Sequence, residues 1–341
     1  MIKKIKTDKI ATDIQMLEKE GEYFNIRNDT IVLKESADVY KPDGSLLAKF
    51  RKGVLDIESM KRAFPHLLKE SQKKMANRGP AAGIINTDKL PNYVGALYKP
   101  TKFRTYYISK TTGLPIKRQI SNLSNSSVIG YFDKVDTNTL KRARNMGIVL
   151  PQCRSTSYTR EKVEKWSDCV PFFQEINKQF KTVVPDRFKT QKEMADKTEF
   201  HIKDTAFSTV TINYNWRTAL HKDAGDLEEG FGNLTVIENG KYDGGFLYYP
   251  QYNIAIDVRC GDFLAMDVHE WHCNTPLQSF NETENANVLK GGASGNLVNP
   301  EADLNKPIRL SIVCYLRKAM EKCSGVSLEK TEHFYNNLKN L

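Results

Sequence analysis

Between residues 207 and 216, Val210, Ile212, Tyr214 and Trp216 fall on one side of an extended backbone and Thr209, Thr211, Asn213 and Asn215 on the other. That period-two alternation predicts a strand with one apolar face. Shorter strand candidates follow at 233–238, 245–249, 253–258, 262–267 and 308–316, separated by Gly, Asp, Asn and Pro turns. Many short strands at such spacing predict a β-sandwich or barrel. The upstream pattern is mixed. Residues 22–34 read as two short strands around Asn28-Asp29, and 45–55 as another. Residues 59–77 read as a helix disturbed by Pro65 and ended by Gly79-Pro80, 93–109 as extended chain, and 137–145 as a basic helix stopped by Gly147. From Thr159, the spacing of Trp166, Val170, Phe172, Phe173, Ile176 and Phe180 predicts one or two helices closed by Pro185. Residues 279–305, rich in Asn, Ser and Gly, read as a long excursion between strands, and 327–341 as a closing amphipathic helix.

Composition narrows the class. At 341 residues with 40% hydrophobic and 27% charged positions, global disorder is excluded and a sizeable core is expected. No run reaches the roughly 18 apolar residues of a membrane span, and the first residues lack a signal-peptide block. We therefore expect a soluble intracellular protein without a membrane partner: in the nucleus or another nucleic-acid-containing compartment of a eukaryote, or in the cytoplasm if prokaryotic or phage-encoded. Six cysteines without a CxxC pair predict reduced thiols rather than disulfides or structural zinc.

The net charge of +10 is concentrated. Residues 1–120 hold 24 Lys or Arg against 13 Asp or Glu, and between Lys69 and Arg118 there are 11 basic residues and two acidic ones. Such a segment, interleaved with aromatics, suits a phosphate backbone, and equally a solubilising face. Lys99, Lys102, Arg104, Lys117 and Arg118 are the candidate backbone contacts.

Candidate chemistry centres on His221-Lys222-Asp223, just after the strongest strand. Residues two apart face the same side of extended chain, so an imidazole and a carboxylate can reach one cation. About fifty residues on, His269 and His272 offer a third ligand. Two histidines and one carboxylate on a β scaffold describe the facial triad of non-haem iron(II) oxygenases; an isolated HxD is also what a solvated loop His beside an Asp looks like. Arg309 and Ser311 share one face of an otherwise apolar strand. A guanidinium there calls for an anion, either the C5 carboxylate of 2-oxoglutarate or one of the protein's own acids.

Several motifs together resemble one family. Trp216-Arg217-Thr218-Ala219-Leu220-His221-Lys222-Asp223-Ala224-Gly225-Asp226, Gly230-Phe231-Gly232, Ile256-Asp257-Val258-Arg259-x-Gly261-Asp262, His272-Cys273-Asn274-Thr275-Pro276 and Arg309-Leu310-Ser311-Ile312-Val313-Cys314-Tyr315 are similar to the oxygenase domain of the J-binding-protein and ten-eleven-translocation family. The J-binding branch, a thymine hydroxylase branch, is the closer. The resemblance implies an α+β fold: a double-stranded β-helix (jelly-roll, cupin-like) oxygenase core with an α/β N-terminal extension packed against it. We expect 1–150 as the basic N-terminal region, 151–325 as the core with helical support and the 279–305 insertion, and 326–341 as the C-terminal helix.

The same resemblance implies Fe(II), 2-oxoglutarate and O2 as cofactors, with His221, Asp223 and His272 as iron ligands and Arg309 with Ser311 as the 2-oxoglutarate anchor. His272 is preferred to His269 because the family pattern is His-x-x-Thr-Pro. It further implies DNA as partner, with a flipped-out base, and leaves room for a glycosyltransferase acting on the product. Tyr315 matches the position that stacks on that base, though a core tyrosine would also sit there. Asp226 and Arg317 take the places that touch the base edge: an ionised Asp accepts and an Arg donates, which suits thymine, suits cytosine as well, and also allows a salt bridge between the two. The expected reaction is hydroxylation of the thymine 5-methyl group to 5-hydroxymethyluracil. The alternatives are 5-methylcytosine oxidation, hydroxylation of a protein side chain or small molecule, and a DNA-binding module with a vestigial metal site.

Overall fold

The computed structural model describes residues 2–86, 95–114, 121–135, 137–279 and 307–338. Its centre is a ten-stranded sheet. Nine strands run in the order Lys3–Lys6, Ala37–Tyr40, Leu46–Arg51, Phe263–Met266, Gly232–Asn239, Ile308–Tyr315, Thr209–Tyr214, Ser124–Phe132 and Lys74–Met75, with Arg154–Ser155 paired beside Ser124–Phe132. A second sheet, Cys273–Asn274, Leu247–Tyr249, Ile254–Ile256 and Ile31–Leu33, faces it. This is a jelly-roll-type core in a mixed α/β chain.

Strand alternation sorts the side chains. Leu310, Ile312 and Cys314, with Val210 and Ile212 next door, turn toward a helical layer formed by Ile57–Ser71 and Val163–Val183. Phe172, Phe173, Ile176 and Phe180 from the second helix are fully buried in that layer. The opposite sheet face packs Leu234, Val236 and Met266 against Leu247, Tyr249, Ile254 and Ile256 of the facing sheet. The polar alternates Thr211, Asn213 and Ser311 lie on this inner face, toward the site rather than toward solvent.

Four expectations need correction. Only Ile31–Leu33 of residues 22–34 is a strand. Pro185 does not close the helical region; it opens the helix Pro185–Ala195, where a missing N–H costs nothing. The boundary at 150 does not follow the sheet. Ser124–Phe132, too rich in Ser and Asn to read as a core strand, pairs antiparallel with Thr209–Tyr214, while Leu46–Arg51 pairs with Phe263–Met266. Finally, Cys153 and Cys323 form a disulfide. Lying 170 residues apart, they offer no spacing signal, and folding brings their Cα atoms to 5.7 Å.

N-terminal chain also braces the HxD segment directly. Gly21 N–H donates to Leu220 O at 2.8 Å, Leu220 N–H to Glu22 O at 2.8 Å, and Ala219 N–H to Ala81 O at 2.9 Å. Among the described residues, no helix is long and apolar enough to cross a membrane. The 279–305 excursion lies outside the described residues apart from its first.

Candidate metal centre and adjoining cavity

The two histidines are brought together by backbone. His221 N–H donates to His272 O and His272 N–H to His221 O, both at 3.0 Å, so the short antiparallel bridge brings the ring centroids to 4.3 Å, with the planes tilted by 49°. Each ring is fixed the same way. Nδ1 of His221 lies 2.8 Å from Ala219 O, and Nδ1 of His272 lies 2.9 Å from Glu270 O. A carbonyl can only accept, so each Nδ1 carries the proton and each Nε2 presents a lone pair. Those Nε2 atoms stand 3.6 Å and 3.9 Å from the Asp223 carboxylate oxygens. The three ligand atoms lie within 4.8 Å of one another. Burial first, then His272, pushes the His221 pKa down to about 4, which keeps its ring neutral and able to ligate. Lys222 points the other way, over Trp271 and toward Asp13, as alternation requires. His269 is instead held by Asp267, its Nδ1 3.4 Å from Oδ1, and is not in the cluster.

Arg309 is 5% exposed, and among the described residues its Nε and Nη2 have no hydrogen-bond partner. Its own-acid alternative is Glu238, directly opposite on the neighbouring strand. That carboxylate is taken up elsewhere: it accepts from Tyr242 Oη and from Cys260 N–H, and faces Arg259 at 3.6 Å. Burial lifts the Glu238 pKa to about 7, and burial lowers that of Arg309 to about 10. A buried fork with two idle donors fits an incoming carboxylate. Gly245 makes room for it, since at φ +67° any Cβ would come within 3.0 Å of Arg309 Nε. Ser311, two residues along the same face, accepts from Asn213 Nδ2 at 3.3 Å.

A cavity of about 340 Å³ opens beside the triad, lined in part by His221, Asp223, Asp226, Thr211, Asn213 and Tyr315. Tyr315 Oη is 3.4 Å from Thr211 Oγ1, and burial pushes its pKa up to about 12. Asp226 is nearly buried and its carboxylate makes no hydrogen bond among the described residues; burial and then Asp223 raise its pKa well above the usual range. The partner expected for it is not there. Arg317 lies opposite Asp226 in a backbone bridge and its charge acts on that carboxyl, but its Nε binds Asp133 at 2.6 Å with the guanidinium 4.9 Å over Phe132. Sequence reading could not see Asp133 as a competitor because it lies 184 residues upstream.

Arg78, one residue of the basic run between Lys69 and Arg118, lines the cavity, as does Lys222. Asn213 was missed for a different reason. The polar side of its strand looked solvent-facing, although a polar row on a barrel strand is also what a site requires. Of the basic candidates, Lys102 donates to Glu18 O at 3.1 Å, Arg104 is exposed, and Lys99 lies on the strand Ala96–Pro100 of a hairpin. Lys117 and Arg118 lie outside the described residues.

A family model matches residues 128–318: Tet_JBP, the oxygenase domain of the 2OGFeDO superfamily. Among curated proteins, the chain is 29% identical over 253 residues to thymine dioxygenase JBP1-B of Trypanosoma cruzi (strain CL Brener), covering 71% of this chain and 25% of the relative. It is 34% identical over 155 residues to thymine dioxygenase JBP1 of Trypanosoma brucei brucei, covering 46% of this chain and 17% of the relative. The matched region thus spans a quarter or less of these relatives. Among solved structures, NgTET1 in complex with 5mC DNA aligns with 96% of this chain and 100% of its own at 11% identity and a TM-score of 0.47.

Proposed function

The chain belongs to the Tet_JBP oxygenase family of the 2OGFeDO superfamily, and from that premise we propose that it hydroxylates the 5-methyl group of thymine in DNA, giving 5-hydroxymethyluracil. One observation carries the proposal: the chain holds both a two-histidine, one-carboxylate set and a buried arginine whose Nε and Nη2 have no hydrogen-bond partner among the described residues. The superfamily uses iron(II), 2-oxoglutarate and O2, and this donor set suits them. Neutral imidazoles and a carboxylate leave coordination positions free on iron, and the idle guanidinium suits a dicarboxylate's far end.

His221, Asp223 and His272 hold the metal; Arg309, with Ser311 beside it, holds the C5 carboxylate of 2-oxoglutarate. When bound, iron would let O2 act as the oxidant: one oxygen atom would convert the methyl C–H to C–OH, and the other would go to 2-oxoglutarate, the reductant, which would leave as succinate and CO2. The chain's own side chains do the rest. Tyr315 stacks on a base turned out of the duplex, because a methyl group inside a duplex cannot approach a buried metal. Asp226 accepts the N3–H of that base. Lys99, Lys102, Arg104, Lys117 and Arg118, all in the basic first third of the sequence, neutralise phosphates. Both relatives are named thymine dioxygenases, which favours thymine over a protein or small-molecule substrate.

Asp223→Ala tests the metal assignment. Turnover should fall beyond the roughly 10–100-fold that loss of an outer partner of a ligand costs, with an unchanged circular dichroism spectrum. Full activity in that variant would refute it.

A further inference from the structure

One wall of the cavity comes from outside the oxygenase strands. Residues 77–81, running into the short turn Gly79–Ala82, line it, and they lie outside the 128–318 region shared with the family. Arg78 is the cation in that wall, and it is held in place. Nε and Nη2 donate to Ser126 Oγ at 3.0 Å and 2.6 Å, Nη2 also reaches Asn213 Oδ1 at 3.2 Å, and the guanidinium lies 5.7 Å over the Trp216 ring. Ser126 in turn donates to Asn213 Oδ1 at 2.7 Å, which closes a small network around the arginine. Nη1 alone has no hydrogen-bond partner among the described residues, so two N–H donors remain on a side chain whose orientation is already fixed. Burial disfavours its charge, and the groups that offset this are Tyr315 first, then Asp223 and Asp226. The far carboxylate of the cosubstrate has its own arginine in Arg309.

Resting on the pyrimidine hydroxylation proposed above, we propose that Arg78 is a specificity-determining contact to the extruded base, Nη1 donating to a ring carbonyl while Asp226 accepts the neighbouring N3–H. Thymine presents that acceptor and donor side by side, as C=O next to N–H. Arg78 takes the donor role for which the sequence had suggested Arg317, whose guanidinium is committed to Asp133. Because the arginine is braced by Ser126, Asn213 and Trp216, little rotamer freedom is lost when the base arrives. A charge-assisted hydrogen bond is worth more than a neutral one.

The test uses the full-length chain with iron and 2-oxoglutarate on single-site DNA containing thymine, 2-thiothymine or 4-thiothymine, sulfur being the poorer acceptor. For the unaltered chain, one of the two thio substitutions should lower kcat/KM about tenfold, the scale of a weakened hydrogen bond to a charged group. Arg78→Met should lower kcat/KM on ordinary thymine by about ten- to a hundredfold, erase that thio penalty, and leave the KM for 2-oxoglutarate unchanged. Equal rates on all three bases with the unaltered chain would overturn the inference without any variant that might misfold. So would a thio penalty that survives in Arg78→Met, and a raised KM for 2-oxoglutarate with that penalty intact would assign the arginine to the cosubstrate instead. No hydroxylation of ordinary thymine by the unaltered chain would remove the function itself, an outcome distinct from turnover that is indifferent to the carbonyl.

Discussion

At one end of the strand Ile308–Tyr315, Arg309 is buried with Nε and Nη2 unbonded among the described residues, and just past the other end Arg317 gives its Nε to Asp133 at 2.6 Å. Both follow from strand or strand-end positions on the same late segment, and both cost desolvation. Arg317 recovers that cost in an ion pair with Asp133, whereas Arg309 recovers it only in part, through the charges of Glu238 and Asp257. An unpaired buried cation is evidence for a ligand; a paired one is evidence for structure. Arg78 is intermediate, with one half of its fork bonded and the other idle.

Arginine truncation separates the two ends. Arg317→Met strands Asp133, whose side chain is 9% exposed, and should cost about 3–5 kcal/mol of stability in chemical denaturation. Arg309→Met leaves no acid stranded. It should raise the KM for 2-oxoglutarate about ten- to a hundredfold while leaving the denaturation midpoint, without cosubstrate, unchanged or higher. If the two variants destabilised equally, the contrast would be wrong.

Glu238 sharpens the same point, because the contrast requires that it not neutralise Arg309. Its folded pKa of about 7 lies above the ordinary glutamate value of 4.5. The folded chain therefore keeps a proton that the unfolded chain has released. That stabilising contribution is complete below the lower value and is lost as pH rises through the higher one. Between pH about 5.5 and 7, stability should fall by on the order of 2 kcal/mol, and Glu238→Gln should flatten that slope. A slope unaltered in the variant would place the titration elsewhere.

The smallest effect is expected at the exposed rim. Reversing Lys102 and Arg104 to Glu should reduce the salt dependence of DNA binding by about 2 in the log–log slope. An unchanged slope would take the hairpin out of the interface.

The legible parts were those carried by local pattern. Alternation in 207–216 announced the strand Thr209–Tyr214, and HxD with His-x-x-Thr-Pro named the side chains that cluster as His221, Asp223 and His272. What stayed hidden depends on contacts across long separations. Nothing near Arg317 names Asp133, nothing near Cys153 names Cys323, and nothing in the run around Arg78 shows that Ser126 and Asn213 will receive it. The strand Ser124–Phe132 was hidden by composition, since Ser126 and Ser127 are buried for their hydroxyls, which bind Asn213 and Glu70, rather than for apolar area.

The most direct test of the central claim is mass spectrometry of nucleosides from thymine-containing DNA after incubation of the chain with iron(II), 2-oxoglutarate and O2, beside a 5-methylcytosine substrate. We predict 5-hydroxymethyluracil in step with succinate. Succinate release with thymine unchanged would contradict it.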